Sequence, residues 1–548
     1  MVIESSSRFD FTRSIETDVC IIGGGVAGIT IAMNLARRGI RVRLLEGGGE
    51  SFSRRSQELY NGETWDHRYS LTGTRTRMLG GSSNCWGGWT RPPSAVDFTR
   101  RGWLGGFGWP IEGADLAPFH AEAARLLELS PPESDAEVMA ALDPEAARAA
   151  RIGDPELRTV FLHLSPPTAF GKVYRDELSG LATLGTVTDA TVTRLVTDPA
   201  TDRVTAVEGV TPGGRFRVSA TLVILAAGGI ENPRLLLASG GIGNGHDLVG
   251  RYFMDHPRIR LRHLVLDEAA SVASLYDMRH YGGGSMVRGR GRVGAALMPS
   301  PEAQRAAGLL QSYTGLVAFF FGQSDSTLED ARQVYKAVRG RLHERIDAAR
   351  LGRVVTEMPA AMAYLVGRRL DMRGRRMRFE VETVMEPMPD RDNRVELGRE
   401  RDRNGVPKVR LTWRRHEVER RTHEHALGLV ARAFEASGQG RMQIRPDAFE
   451  PDVWDRSVMT TWHHMGTTRM AAAPSEGVVD ADCRVFGTSN LYVAGSSVFA
   501  SGGGVPPTLM LTMLALRLAD HVAGELAQGR HGGQHGGQHG AGRSVAVG

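Results

Sequence analysis

The sequence predicts an α/β fold, α+β overall. A discontinuous domain built on a parallel sheet is joined to a second domain with a mixed or antiparallel sheet covered by helices. Three observations predict it. Asp18 to Gly28 reads Asp-Val-Cys-Ile-Ile-Gly-Gly-Gly-Val-Ala-Gly, an apolar run entering a glycine turn. Ala220 to Leu237 repeats that form, from Leu-Val-Ile-Leu into Gly228-Gly229 and a helical pattern. Leu491 to Ala494 is a third apolar run, ending on Gly495-Ser496. Unbroken apolar runs are expected of parallel strands covered on both faces, and three of them so far apart describe a domain the chain leaves and re-enters.

The first run carries chemistry. Gly23, Gly25 and Gly28 fall in G-x-G-x-x-G spacing directly after the strand Val19 to Ile22. The first permits the tight turn, the second lets backbone approach a pyrophosphate, and the third lets the next helix pack close. That helix, Ala27 to Arg38, aims its positive end at the phosphates and stops at Gly39. A second strand, Ile40 to Leu45, ends on Glu46, where an acid binds ribose hydroxyls and repels a 2′-phosphate. Together these describe a Rossmann-like dinucleotide-binding unit.

Composition bounds the rest. A chain of 548 residues is long enough for two or more structural units. The balance of 67 basic to 62 acidic residues, net +5, is too mild to imply nucleic acid. No apolar run reaches the length of a spanning helix, and the polar N-terminus, with Glu4 and Asp10, lacks the apolar centre of a signal peptide. Cys20, Cys85 and Cys483 lie far apart without metal spacing, which predicts no disulfide framework, no metal site and a cytoplasmic location.

In order, the domain divides into 1–110, 185–257 and 460–528. Residues 111–184 form a helical excursion, 258–459 a second domain, and 529–548 a disordered Gly/His/Gln tail. Arg75 to Trp89 is a Gly/Ser loop suited to pressing backbone on a flat ligand, with Arg75 and Arg77 as phosphate partners. Strands are expected over Val187 to Val196, Val204 to Val210, Arg215 to Val218, Glu380 to Leu397 and Val406 to Trp413. Gly289, Gly291 and Gly294 repeat the glycine spacing, but no long apolar strand precedes them, so no separate NAD(P)H domain is expected. Leu328 to Arg378 is basic and helical, a solvated face or a docking surface for an acidic partner or membrane headgroups. Thr461-Trp-His-His-Met-Gly-Thr-Thr-Arg-Met470 sets His463 beside His464.

Gly23 to Glu46, Gly80 to Gly88, Val223 to Arg234 and His463 to His521, in this order and spacing, resemble the GMC (glucose–methanol–choline) FAD-dependent oxidoreductases, nearest the bacterial and pyranose-oxidase-like members. The resemblance implies FAD along Gly23, Gly25, Val26, Ala27 and Gly28, with Glu46 on the adenosine ribose. It implies Gly80, Gly81 and Ser82 near the pyrophosphate and isoalloxazine, and Val192 holding the adenine by backbone. Arg77, Asn84, Cys85, Ala227, Gly228, Gly495, Ser496, Pro507 and Thr508 complete the implied cofactor set. It further implies oxidation of an alcohol C–OH to a carbonyl, with hydride passing to flavin N5 and His463 accepting the proton. An imidazole, with its pKa near 6.5, suits that role at neutral pH. The substrate class is sugar-like, polyhydroxylated or natural-product alcohols, and the electron acceptor is O2 or another molecule.

Two positions depart from the family pattern. The loop Gly504-Val-Pro-Pro-Thr508 puts Pro506 where an Asn or His usually meets the substrate oxygen, and proline has no donor to offer. Either His464 takes that role or the chemistry is unusual, which keeps a non-redox flavoprotein lyase and a carrier-docked protein as alternatives. Cys85 stands where some relatives attach the flavin through histidine, so the resemblance leaves two readings there, a thioether to the flavin or an inert packing cysteine.

Overall fold

The computed structural model describes residues 14–106, 108–130, 134–142, 154–266, 291–318, 378–444 and 446–535, apart from 67 and 68, with short pieces between them. Its first sheet is centred on Ile15–Ile22. Val42–Leu45 lies parallel on one side, Val19 beside Val42 and Ile22 beside Leu45, and Leu184–Thr188 lies parallel beyond it. On the other side Gly214–Leu225 runs parallel, Leu225 level with Ile22, and Leu491–Val493 pairs parallel with Val223–Leu225. The three apolar runs are therefore neighbours, as parallel strands joined by long crossovers can be. Val19, Ile21, Ile224, Leu491 and Val493 are fully buried, each contributing roughly 1.5–3 kcal/mol of apolar transfer. The helix after the glycine turn, Val26–Arg37, packs against the terminal helix Thr508–His535.

The expected strand Val187 to Val196 is two strands, Leu184–Thr188 and Thr191–Asp198. Between them Asp189 takes a left-handed φ of 55°. The Asp189 and Ala190 amides donate to the Gly48 and Glu46 carbonyls at 2.8 and 2.9 Å, so the segment after Glu46 captures the break.

The second sheet is antiparallel: Gly440–Met442, Arg258–Leu266, Arg378–Met385, Ser312–Ala318, Gly291–Pro299, Leu157–Leu164 and Trp89–Thr90 in spatial order. Alternation divides its residues. Phe161, Ala295, Leu297, Leu316 and Val381 pack with Leu427, Val430 and Phe434 of the helix Glu417–Ala436. Val160, Leu162, Ala296, Met298, Tyr313 and Val384 face the other way, with Trp89 and Val505 against them. That second face roofs the first domain.

Several expectations are corrected. The excursion over 111–184 is not helical throughout, because Leu157–Leu164 is a strand of the roof, paired along its length with Gly291–Pro299. Its side chains are buried on both faces, so it lacks the polar alternation that marks a half-exposed strand. Glu380 to Leu397 divides between two sheets: after Arg378–Met385, Arg394–Arg401 pairs with Pro407–Thr412, which lies parallel to Gly62–Thr64. Gly294, by contrast, is as expected: it sits mid-strand opposite Leu162 and not in a phosphate turn. The terminal helix continues to His535, past the expected start of a disordered tail. The basic stretch 328–378, and with it the acidic-partner expectation, lies almost entirely outside the described residues. Among the described residues no helix is long and apolar enough to cross a membrane.

Candidate active site

Ile22, Leu45, Leu225 and Val493 end on one edge of the parallel sheet, and the segments that leave them build the site. Gly23 has φ +108°, and a Cβ there would lie 2.5 Å from the Ala226 carbonyl oxygen; a Cβ on Gly28 would lie 1.9 Å from that of Gly23. Turn, second strand end and helix thus close on one another only without side chains. Gly25, which precedes Val26–Arg37, is different: a Cβ there meets nothing within 4 Å. The first-turn amides of that helix lack intrahelical acceptors and open onto this space.

The small-residue loop closes the space from the other side. The Gly80 amide donates to the Gly24 carbonyl at 2.7 Å, and a Cβ on Gly81 would come within 3.0 Å of Gly25 Cα. Gly81–Asn84 is a 3₁₀ turn carrying Ser82. Asn84 donates to the Leu79 and Gly81 carbonyls at 3.0 and 2.8 Å, while its Oδ1 is buried without a partner. Cys85 ends the turn, its thiol donating to the Ser82 carbonyl at 3.4 Å and accepting from Thr76 Oγ1 at 3.2 Å. Ala227 precedes the helix Gly228–Ala238 and donates its amide to Asn232 Oδ1 at 2.8 Å. Gly495, with φ +96°, approaches Ala27 Cβ.

At the far end Glu46 accepts the Gly24 and Gly48 amides, each at 2.7 Å, one per oxygen. Each carboxylate oxygen keeps a further lone pair for a ribose hydroxyl. Arg77 donates to Thr191 Oγ1 at 2.8 Å, beside Val192, and its Nε is buried without a partner. It therefore lies by Glu46 and Val192 rather than at the glycine turn. Arg75 does not meet a phosphate: it pairs with Glu231 at 2.7 Å and stacks on Tyr60. Pro507 and Thr508 open the terminal helix, where the Pro507 carbonyl accepts from the Leu511 amide at 2.9 Å. An open trough at a helix N-terminus, an acid with spare acceptor capacity and unpaired buried groups on Arg77 and Asn84 fit a dinucleotide such as FAD.

The histidines occupy the same sheet edge. Ser496 Oγ donates to the His464 carbonyl at 2.6 Å, and a Cβ on Gly229 would lie 2.4 Å from that oxygen. His463 and His464 then diverge. His464 packs its ring against Tyr69 and Phe253, and burial lowers its pKa to about 3. It does not join His463. The partner of His463 is His256, which the sequence reading passed over: their Nδ1 atoms lie 2.9 Å apart, and His256 Nε2 lies 2.8 Å from the Gly503 carbonyl oxygen.

That geometry sets the tautomers. A carbonyl only accepts, so His256 carries its proton on Nε2. Burial lowers the His256 pKa, so the ring is neutral and its Nδ1 is an acceptor. Nδ1 of His463 must donate to it, which leaves His463 Nε2 with a free lone pair. Burial first, then the nearby His256, His464 and Arg258, hold His463 well below the usual histidine pKa. Asp255 fixes the backbone: its carboxylate accepts from Thr461 Oγ1, Tyr69 Oη and the Trp462 and His463 amides at 2.8, 2.9, 3.3 and 2.9 Å. Trp462 is held at φ +66°, a strained value for a bulky residue. The sequence signal was the pair Asp255-His256 ahead of Pro257, with no glycine to mark it.

Pro506 is tied in by its backbone. Its carbonyl accepts from Thr90 Oγ1 at 3.2 Å, and Thr90 Oγ1 accepts from the Leu509 amide at 3.0 Å. The loop before it is wedged: a Cβ on Gly503 would lie 2.6 Å from Asp97 Oδ1, and one on Gly504 2.6 Å from Gln311 Cβ. Gln311 joins Asp97 to Glu386, which forms a buried two-bond pair with Arg101 at 2.6 and 2.5 Å.

A dinucleotide cradle with a neutral, oriented imidazole on the same sheet edge defines a flavin-dependent oxidoreductase. The sequence carries both parts of such a protein: residues 18–242 match the family described as FAD dependent oxidoreductase, and residues 389–515 the family described as GMC oxidoreductase. It is 24% identical to 2-methyl-1,2-propanediol dehydrogenase of Mycolicibacterium austroafricanum, over 93% of this chain and 96% of that protein. It is 25% identical to paromamine 6'-oxidase of Streptomyces fradiae, over 93% and 92%. Among solved structures, pyridoxine 4-oxidase from Mesorbium loti superposes with a TM-score of 0.56 at 19% identity, over 92% of this chain and 99% of that one. Formate oxidase gives 0.55 at 18%, over 94% and 99%. These two likenesses concern the fold.

Proposed function

We propose that the protein oxidises a C–OH group of a sugar-like, polyhydroxylated or natural-product alcohol to a carbonyl, with His463 as the base. The observation that carries this reading is the His463–His256 hydrogen bond, which leaves Nε2 of a neutral His463 free to accept the hydroxyl proton. Bound FAD supplies the two-electron acceptor. Glu46, Gly25, Gly81 and the first turn of Val26–Arg37 hold it. Asp255 holds His463 by the backbone, and the second sheet covers the reacting group against water. The roles of Val192, Gly228, Gly495, Ser496, Pro507 and Thr508 at the cofactor belong to the same proposal, which sets the protein in the cytoplasm. Among the relatives, names that specify a diol dehydrogenase and aminoglycoside-type oxidases support an alcohol substrate. The reading is tested by adding alcohols to FAD-loaded protein without oxygen: bleaching of the visible flavin bands supports it, and bands unchanged across neutral and charged alcohols sink it.

A further inference from the structure

Arg258 opens a strand of the roof. It lies directly opposite Val384, and Val384 opposite Tyr313. Directly opposed residues of antiparallel strands project from one face, so Arg258 shares the face of Val384 and Tyr313 that meets Val505. Its backbone exchanges two hydrogen bonds with Met459, at 2.9 and 2.8 Å, just ahead of the histidine segment. Its charge reaches His463.

Several interior guanidinium groups are paired with carboxylates. Arg260, two residues along the same strand, meets Glu382 at 2.5 Å; Arg101 meets Glu386 at 2.5 Å; Arg234 meets Glu231 and Asp402 at 3.0 and 2.8 Å. Arg258 is half-buried and its Nε is buried without a hydrogen-bond partner. Among the described residues no carboxylate pairs with it. Sequestering an unpaired cation is unfavourable, and here the cation also opposes protonation of the base. A ligand oxyanion removes both penalties, because it pairs with the guanidinium fork and offsets its charge.

We propose that Arg258 anchors a carboxylate or phosphate group of the alcohol substrate, holding the C–OH at His463 Nε2. The proposal rests on the reading of His463 as base and narrows the substrate to an anionic alcohol.

The test is titration of the FAD-loaded protein with glycerate, glycerol 3-phosphate and glycerol, read as perturbation of the visible flavin spectrum. It is run on wild type, Arg258→Met and Arg258→Lys, with flavin content and Tm confirming that each is loaded and folded. At least one anion is expected to bind wild type roughly 10–100-fold more tightly than glycerol, as hydrogen bonds to a charged group allow. Which anion does so tells carboxylate from phosphate. The preference is expected to fall to within about twofold in Arg258→Met and to survive in part in Arg258→Lys. Failure of both anions to outbind glycerol, or a preference that survives Arg258→Met, overturns the proposal. His463→Asn separates the two readings. If it keeps the anion preference and oxidises alcohols as fast as wild type, only the base assignment falls. If it loses oxidation while wild type shows no anion preference, only the Arg258 subsite falls.

Discussion

Nδ1 of His463 lies 2.9 Å from Nδ1 of His256, and because the far nitrogen of His256 faces a carbonyl, the proton between the rings belongs to His463. Support for the base comes from behind it.

Replacing His256 with Leu removes the acceptor and lets His463 rotate and change tautomer. About 10–100-fold is expected from kcat, with KM moving less, since small misplacement of a reacting group has effects of this order. His256→Gln keeps one acceptor and one donor in line and should restore most of the rate. Stopped-flow reduction of the flavin compares the two. Equal loss in both variants would reduce His256 to packing.

The pH dependence has a definite sign. Only neutral His463 accepts a proton, and its pKa is lowered from near 6.5 by burial and neighbouring charge. The acid limb of kcat/KM should therefore lie below pH ~6.5, with activity retained as pH falls through that value. A limb at or above it contradicts the lowering of the His463 pKa by its surroundings.

Two glycine substitutions three residues apart should fail differently. Gly28→Ala puts a Cβ 1.9 Å from the Gly23 carbonyl oxygen and should destabilise the fold. Gly25→Ala meets no protein atom within 4 Å, so the chain should fold with nearly unchanged Tm and lose FAD affinity. Flavin content after reconstitution, beside a thermal melt, separates the outcomes.

Asp255→Asn exchanges an acceptor of four hydrogen bonds for a group that turns an N–H toward donors. A loss of about 3 kcal/mol in stability is expected. Release of Trp462 from φ +66° should accompany it and disorder His463. Denaturant unfolding measures the first and flavin reduction the second.

Acid should weaken the fold before carboxylates titrate. Burial lowers His423 and His464 to about 3 and His163 to about 4. Their unfolded forms bind protons from about pH 6.5 down, so stability is lost as pH falls from there toward the folded values, by about 2 kcal/mol per histidine at pH ~5. Glu419, raised to about 7 by burial, works in the opposite direction. Three histidines outweigh one carboxyl, and Tm should drop between pH ~7 and ~5.

The cofactor half of the molecule was legible in the sequence because its signals are local. Gly23, Gly25, Gly28 and Glu46 lie within one strand–helix–strand unit: Gly23 and Gly28 are demanded by the backbone they touch, Glu46 accepts two amides, and Gly25 leaves the space ahead of the helix open. The histidine pair was half legible: His463 sits in a dense block, while His256 reaches it from 207 residues away and has no periodicity of its own. Leu157–Leu164 escaped for a related reason. Buried on both faces and flanked by helices, it declares itself only by pairing with Gly291–Pro299. Arg75 misled because a guanidinium near a phosphate loop and one in a buried ion pair with Glu231 read alike in sequence.

The central claim is that His463 takes the alcohol proton in a flavin-dependent oxidation. The most direct measurement is the anaerobic rate of flavin bleaching by a saturating alcohol substrate in wild type and in His463→Asn, each loaded with FAD. The account predicts bleaching in wild type and a rate lower by about 10²–10⁴-fold in the variant. A loaded variant that bleaches as fast as wild type would contradict it.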